Sequence, residues 1–158
     1  MGEVHPKRRN RRGAELLEAA LITTPMFAII LFMVNGCLAL FTKAVLQHAV
    51  REGARFAVTG RTLPGMGHDL SIKTTVQRQA IGLLAGTGGP ARIHVRYYVP
   101  GTLAETASNG GGNIVEVSVE NYSWTWRAPL MLTAPQLTLL ARASDRMEPS
   151  PGGIPPAR

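Results

Sequence analysis

The sequence predicts an α+β protein in which a long N-terminal helix, first transmembrane and then amphipathic, packs on a small head. Three observations support this fold class. Residues 19–42 contain no charged side chain across 24 positions. A helical alternation of polar and apolar residues then continues to Val58, and after residue 92 the apolar period changes to two, as in strands. The 158 residues suit one modest domain.

The first element is a helix over residues 14–58, whose first part, 14–42, is long enough to cross a membrane. As a helix, the 24 uncharged residues span about 36 Å, against a hydrocarbon core of about 30 Å. A cleaved secretory signal has a shorter apolar region with a small-residue cleavage site after it. A buried helix of this composition does not suit so small a domain. We therefore predict a membrane-spanning helix.

The flanking charges predict how the span is oriented. Five of the 17 Lys and Arg residues lie within residues 1–13, immediately before the span, and those after it are widely spaced. Positive charge concentrates on the cytoplasmic side of membrane helices. We expect a basic cytoplasmic leader, residues 1–13, and an extracytoplasmic head, residues 43–147, on a single-pass protein of the cell membrane.

The head is predicted to hold a second helix and about three antiparallel strands. Asp69 can cap the second helix, residues 70–85, and glycines at 86, 88 and 89 stop it. Strands follow over residues 93–99, 115–120 and 137–143, with an Arg and His face on the first opposite a Glu face on the second. The Pro-rich tail, residues 148–158, is predicted to be disordered.

The helix face around Gly53 and the two tryptophans can each be interpreted in more than one way. Glu52 and Arg55 are spaced to form an ion pair on a solvated helix face, and Gly53 can permit close packing against the head. Trp124 and Trp126 flank Thr125 on one strand-like face, where they serve either core packing or a membrane interface.

The catalytic and metal-binding classes are not supported. The single cysteine, Cys37, excludes an internal disulfide and a thiolate metal cluster. The four histidines lie on different predicted elements, and phosphate-loop, zinc-protease and nucleophile-elbow motifs are absent from the sequence. We expect no enzyme activity, cofactor or small-molecule substrate. From residue 43 onward the net charge is only +5, without a basic cluster, so a nucleic-acid partner is not favoured.

Residues 8–58 carry a recognisable pattern. A basic leader ends in Gly13, Glu18 follows five residues later, and Pro25 lies early in the span. After the span comes a conspicuous motif of five residues: Arg51, Glu52, Gly53, Ala54 and Arg55. This pattern resembles the TadE-like family, which are minor pilin-like proteins of tight-adherence pilus systems. The family often has an aromatic residue after the Glu, where this chain has Ala19.

The resemblance implies processing and assembly. A prepilin peptidase would cut between Gly13 and Ala14, leaving Glu18 as the fifth residue of the mature chain. Glu18 would then pair with the free α-amine of a neighbouring subunit's Ala14, so that other pilin or pseudopilin subunits are the implied partners. The alternative is an uncleaved single-span protein whose head binds an acidic polymer or a protein partner. Both interpretations stay open from the sequence.

Overall fold

The computed structural model describes residues 11–86, 88–126, 133–150 and 153–158, with the side chains of Arg11 and Arg12 excepted. Most of the predicted leader, residues 1–10, lies outside the described residues. The elements follow in the order α1 (Arg11–Val58), α2 (His68–Gln79), a short 3-10 turn (Pro90–Arg92), β1 (Ile93–Tyr98), β2 (Glu105–Thr106), β3 (Ile114–Thr125) and β4 (Gln136–Arg146). The strands form one antiparallel sheet in the order β2-β1-β3-β4.

Helix α1 is a single element of 48 residues that includes Pro25, as the prediction of one long helix requires. It begins at Arg11, inside the predicted leader. Polar side chains in its apolar part bond to its own backbone. The Thr24 hydroxyl donates to the Ala20 carbonyl at 2.8 Å, and the Asn35 amide donates to the Leu31 carbonyl at 2.9 Å. Such internal bonds make polar residues tolerable in a membrane helix.

The sheet buries one face under α1 and α2. On that face Val115, Val117 and Val119 of β3 lie opposite Tyr97, Val95 and Ile93 of β1, as the period of two predicts. The outer face carries the charges. The Arg96 guanidinium lies 2.7 Å from a Glu120 oxygen and 3.6 Å from a Glu116 oxygen. The predicted pairing of an Arg face with a Glu face is therefore confirmed.

The second helix differs from the prediction at both ends. Its N-cap is Gly67, without a side-chain capping bond, and the Asp69 carboxylate instead accepts a hydrogen bond from the Tyr97 hydroxyl at 2.8 Å. The helix ends at Gln79 because Ile81 and Gly82 adopt left-handed φ values of 49° and 79°. The sheet also has a fourth strand, β2, whose two residues are too short to show a period.

The described part of the tail packs on the head, which corrects the prediction of disorder. Backbone carbonyls of the tail accept bonds from the head: Ala157 from the His68 N–H at 2.7 Å, and Pro156 from the Asn109 amide at 2.8 Å. The Arg158 guanidinium donates to the Asp69 carboxylate at 2.9 Å. A Pro-rich composition predicts too little apolar burial for order, but it does not reveal these polar contacts.

A β-bulge divides β3 into two parts. The register with β4 shifts between Val119 and Tyr122, so that one extra residue is inserted in β3. Asn121 lies in the bulge with a left-handed φ of 56°. Because side chains alternate with a period of two, one inserted residue moves the following even-numbered residues to the face of the odd-numbered valines. Trp124 and Trp126 are thereby placed on the side of α1.

Candidate assembly and membrane surface

The part of α1 before Ala39 is an apolar rod that the rest of the described chain leaves mostly uncovered. Ala39 is the first residue of α1 to be buried, whereas large apolar side chains before it stay exposed, such as Leu21 at 76% and Met33 at 64%. Helix Gly13–Val58 contains one stretch long and apolar enough to cross a membrane, and only 22% of that stretch is buried. A helix from a soluble core would have most of this surface covered.

The predicted processing and assembly residues lie at the exposed start of this rod. Gly13, Ala14 and Glu18 are all exposed. Within the described chain, no atom lies within 4 Å of where a Cβ would stand on Gly13, so the backbone there is open to approach. The Gly13 to Ala14 bond lies in the first turn of α1, where backbone N–H groups lack helical partners. Glu18 follows Ala14 by four residues and shares its face of the helix.

The five-residue motif has one packed side and one open side. Gly53 and Ala54 are buried, whereas Arg51 and Arg55 are exposed. A Cβ on Gly53 would collide with Cγ2 of Val76 and stand 3.4 Å from Cγ1 of Val117. The motif therefore includes a point where α1 lies close to both α2 and the sheet.

The ion pair expected between Glu52 and Arg55 is not formed. Neither residue appears in an ion pair among the residues that the structure describes. The i, i+3 spacing brings two side chains near each other, but an exposed pair gains little and is easily replaced by water. This part of the expectation is corrected, and the two arginines remain accessible on the open side of the motif.

A contact between the head and the apolar rod was not foreseen. The Trp126 ring lies against Phe32, with ring centroids 4.8 Å apart and an interplanar angle of 48°. Cη2 of Trp126 also stands 3.6 Å from the Cβ position of Gly36. The signal in the sequence is the change from apolar odd positions, 115 to 119, to aromatic even positions, 122 to 126, around Asn121. Read as a bulge, that change indicates that both tryptophans face α1.

Several ionisable groups of the head have pKa values that are shifted by burial and by neighbouring side chains. The Arg96 and Ser118 side chains bond to Glu120 and lower its carboxyl pKa to about 2. Burial, together with the bond to Asp69, raises the pKa of Tyr97 far above its ordinary value. Burial also lowers the pKa of His68. In the part of the chain that the structure describes, no three His, Cys, Asp or Glu side chains form a group that could hold a metal ion.

These features define a class of protein, a small α+β head on a helix whose exposed apolar half can cross a membrane. The family model of TadE-like proteins matches residues 13–55. The matched segment runs from Gly13 to Arg55 and so includes the apolar rod and the motif around Gly53. The match confirms the resemblance found in the sequence. Searches among curated proteins and among solved structures found no match.

Proposed function

We propose that this protein is a membrane-anchored, pilin-like subunit of a tight-adherence type pilus or a related secretion system, assembled through its N-terminal helix. The observation that carries the proposal is the uncovered apolar part of α1, which lies within the segment that matches TadE-like proteins. A lipid bilayer covers such a surface in the single subunit, and neighbouring helices cover it in an assembly. The same helix thus serves as anchor and as assembly element.

Glu18 is the residue that sets the register of assembly in this proposal. A carboxylate at the membrane edge is costly unless it has a partner. Cleavage between Gly13 and Ala14 by a prepilin peptidase creates that partner, a positively charged α-amine on Ala14 of a neighbouring subunit. Because Ala14 and Glu18 are four residues apart, a shift of about 6 Å between two parallel helices brings the groups level.

The ion pairs of three head arginines favour this role over the binding of an acidic polymer. Arg96 and Arg142 on the outer face of the sheet are paired with Glu116 and Glu120. Arg158 is paired with Asp69. Arginines already paired with carboxylates offer less free charge to a polyanion. In this proposal the head lies on the extracytoplasmic side as a structural part of the subunit, without catalytic activity.

The test compares Glu18→Gln with Glu15→Gln, a matched change three residues earlier on the same exposed helix end. The protein is expressed in cells that carry a tight-adherence system and is purified from membranes. We expect its intact mass to correspond to a chain that begins at Ala14. We expect Glu18→Gln to lower co-purification of other subunits about tenfold, equivalent to ~1.4 kcal/mol of association free energy. Glu15→Gln should leave it unchanged.

Membrane extraction of both variants provides the control. Each should remain in the membrane fraction after an alkaline wash, since neither change shortens the apolar run. A mature chain that retains residues 1–13 contradicts processing. Equal co-purification for the two variants contradicts the pairing role of Glu18, and release of the unmodified protein by the wash contradicts the membrane anchor itself.

A further inference from the structure

The end of the β3 and β4 pair lies beside a part of α1 that is predicted to be within the bilayer. Trp126 contacts Phe32 and approaches Gly36. The backbone N–H of Trp126 donates to the Pro135 carbonyl at 3.0 Å, so the chain just before β4 is held at the same end. Trp126 thus lies against the apolar part of α1 well before the first charge that follows it, Lys43, and the Pro135 segment is bonded to Trp126.

The depth of this contact follows from helix geometry. A hydrocarbon core of about 30 Å corresponds to about 20 helical residues, fewer than the 24 of the uncharged run. Wherever such a window is placed within residues 19–42, its outer end is residue 38 or later. Phe32 then lies at least six residues, or about 9 Å, inside the hydrocarbon edge. A side chain packed on Phe32 cannot reach bulk water at that depth.

The charged residues of the head stop at the same level along α1 as the charged residues of the helix itself. The Gln47 amide of α1 donates to the Arg142 carbonyl of β4 at 2.7 Å, which places Arg142 level with the first turns after Lys43. Beyond Arg142 and Glu120, toward Trp126, the described residues 121–126 and 133–141 contain no charged side chain. The intervening sequence, residues 127–132, contains one charge, Arg127. Among the described residues, a single boundary thus separates charged from uncharged surface on α1 and on the β3 and β4 pair.

Part of the uncharged surface is apolar, beside exposed polar side chains such as Asn121, Ser123 and Thr125. Leu137 and Leu140 of β4 are 46% and 49% exposed, and Leu40 and Phe41 on the adjoining part of α1 are 69% and 61% exposed. These four side chains continue the uncovered apolar surface of the rod onto the sheet.

We propose that this end of the head, Trp126 with residues 133–140, is inserted into the outer leaflet of the membrane beside α1. Its occupant is lipid, because the apolar surface is continuous with the membrane-spanning rod and begins where the charges of both elements stop. The proposal rests on the proposed function only in requiring that α1 spans the membrane. The head is then held against the bilayer at a defined height, at the level of Lys43 and Arg142.

The two tryptophans of the chain provide the experiment, because each can be left alone. Trp124→Phe leaves Trp126, and Trp126→Phe leaves Trp124. Both full-length variants are reconstituted in liposomes of phosphatidylethanolamine and phosphatidylglycerol containing phosphatidylcholine brominated either near the head group or deep in the acyl chain. Two residues of strand separate the side chains by about 7 Å, with Trp126 the deeper.

We expect the deep label to quench Trp126 roughly twofold, because its ring is about 9 Å below the hydrocarbon edge. Trp124 should respond more to the shallow label. Quenching of Trp126 by iodide in the aqueous phase, with no response to bromine, overturns the proposal. Flotation with the liposomes distinguishes the two possible failures. If the protein floats with the liposomes but iodide quenches Trp126, only the insertion of the sheet is contradicted. If the protein does not float, the membrane anchor is contradicted.

A second measurement avoids the tryptophans. In Cys37→Ala protein, Leu137→Cys is compared with Leu103→Cys, an exposed position in the loop before β2, at the opposite end of the sheet. We expect a membrane-impermeant maleimide to label position 103 readily and position 137 about tenfold more slowly until detergent is added, since 137 lies within the apolar layer. Equal labelling of the two positions in liposomes overturns the proposal. Protection of position 137 that persists in detergent indicates a protein partner and overturns it as well.

Discussion

Gly53 shows how the absence of a single carbon atom sets the distance between a helix and the head. The residue is buried where α1 meets α2 and β3, and a Cβ there would collide with Val76. Both neighbouring valines, Val76 and Val117, are fully buried and branched at Cβ, so neither can rotate away freely. Helix propensity favours Ala over Gly by about 1 kcal/mol, whereas overpacking a core costs about 1–3 kcal/mol.

We expect Gly53→Ala to lower the free energy of unfolding of the head by up to about 2 kcal/mol, because the steric cost exceeds the gain in helix propensity. Gly36→Ala is the matched control on the same helix. A Cβ at position 36 meets Trp126 at 3.6 Å, an ordinary contact, so the melting temperature should stay or rise. Thermal unfolding followed by circular dichroism in detergent measures both. An unchanged melting temperature for Gly53→Ala would contradict the packing role.

At the scale of elements, the bulge in β3 determines which side chains meet α1. Without the extra residue, positions 121, 123 and 125 would continue the face of Val119, and they are Asn, Ser and Thr. With it, Tyr122, Trp124 and Trp126 take that face. Asn121 makes this arrangement favourable because Asn adopts the left-handed region more readily than most residues.

Asn121→Val tests the bulge. Asn121 is exposed, so the substitution acts mainly through the backbone. A β-branched residue in the left-handed region costs about 1–2 kcal/mol, and we expect a loss of stability of that size. Asn121→Gly, which accepts positive φ, should change stability by less than about 0.5 kcal/mol. Urea unfolding of both variants in the same detergent measures the difference, and equal loss for Gly and Val would exclude the left-handed backbone as the cause.

At the scale of the whole molecule, stability should depend on pH through His68, a buried group that joins three segments. Its Nδ1 lies 3.1 Å from the Arg61 carbonyl, its backbone N–H donates to Ala157, and it begins α2. Burial lowers its pKa below the ordinary 6.5, an effect that the Arg61 carbonyl and Asp69 partly oppose and Arg158 reinforces. The folded head therefore binds a proton at His68 less readily than the unfolded chain does.

The sign of the dependence follows from that difference. Above pH 6.5 His68 is neutral in both states and has no effect, whereas below it the unfolded chain takes up a proton that the folded head resists. We expect the free energy of unfolding to fall with decreasing pH by at most ~1.4 kcal/mol per pH unit. His68→Gln should abolish this slope, and His48→Gln, at an exposed histidine, should keep it. An identical slope in both variants contradicts the assignment.

A second and separate loss should follow at lower pH. The pKa of Glu120 is about 2 in the folded head, below its ordinary value of 4.5, so its contribution is present above 4.5 and is lost as the pH falls toward 2. The His68 variants should leave this second loss in place, because it belongs to Glu120.

Much of the fold was predictable from local patterns. The 24-residue uncharged run predicted the exposed apolar part of α1, and the period of two predicted which residues of β1 and β3 face the core. The placement of Gly53 against the head also followed from its position on the amphipathic part of the helix. The candidate processing and assembly residues, Gly13, Ala14 and Glu18, came from the resemblance to TadE-like proteins, and their roles remain predictions.

What the sequence did not predict depends on residues that are distant along the chain. The tail was predicted to be disordered because its composition lacks apolar residues, but Arg158 finds a partner in Asp69, 89 positions away. Asp69 in turn serves Tyr97 instead of capping its own helix. Two-residue β2 has no detectable period, since a strand of that length shows at most one alternation.

The sequence by itself determined the elements of this protein: one long helix with an apolar half, a second helix, and strands with a buried and a charged face. These follow from periodicity and charge, which are properties of neighbouring residues. Only the tertiary structure decided that the bulge at Asn121 directs Trp126 onto Phe32 and that the tail is tied to Asp69. Those contacts depend on strand register and on chain reversal, through which residues far apart in sequence become neighbours in space.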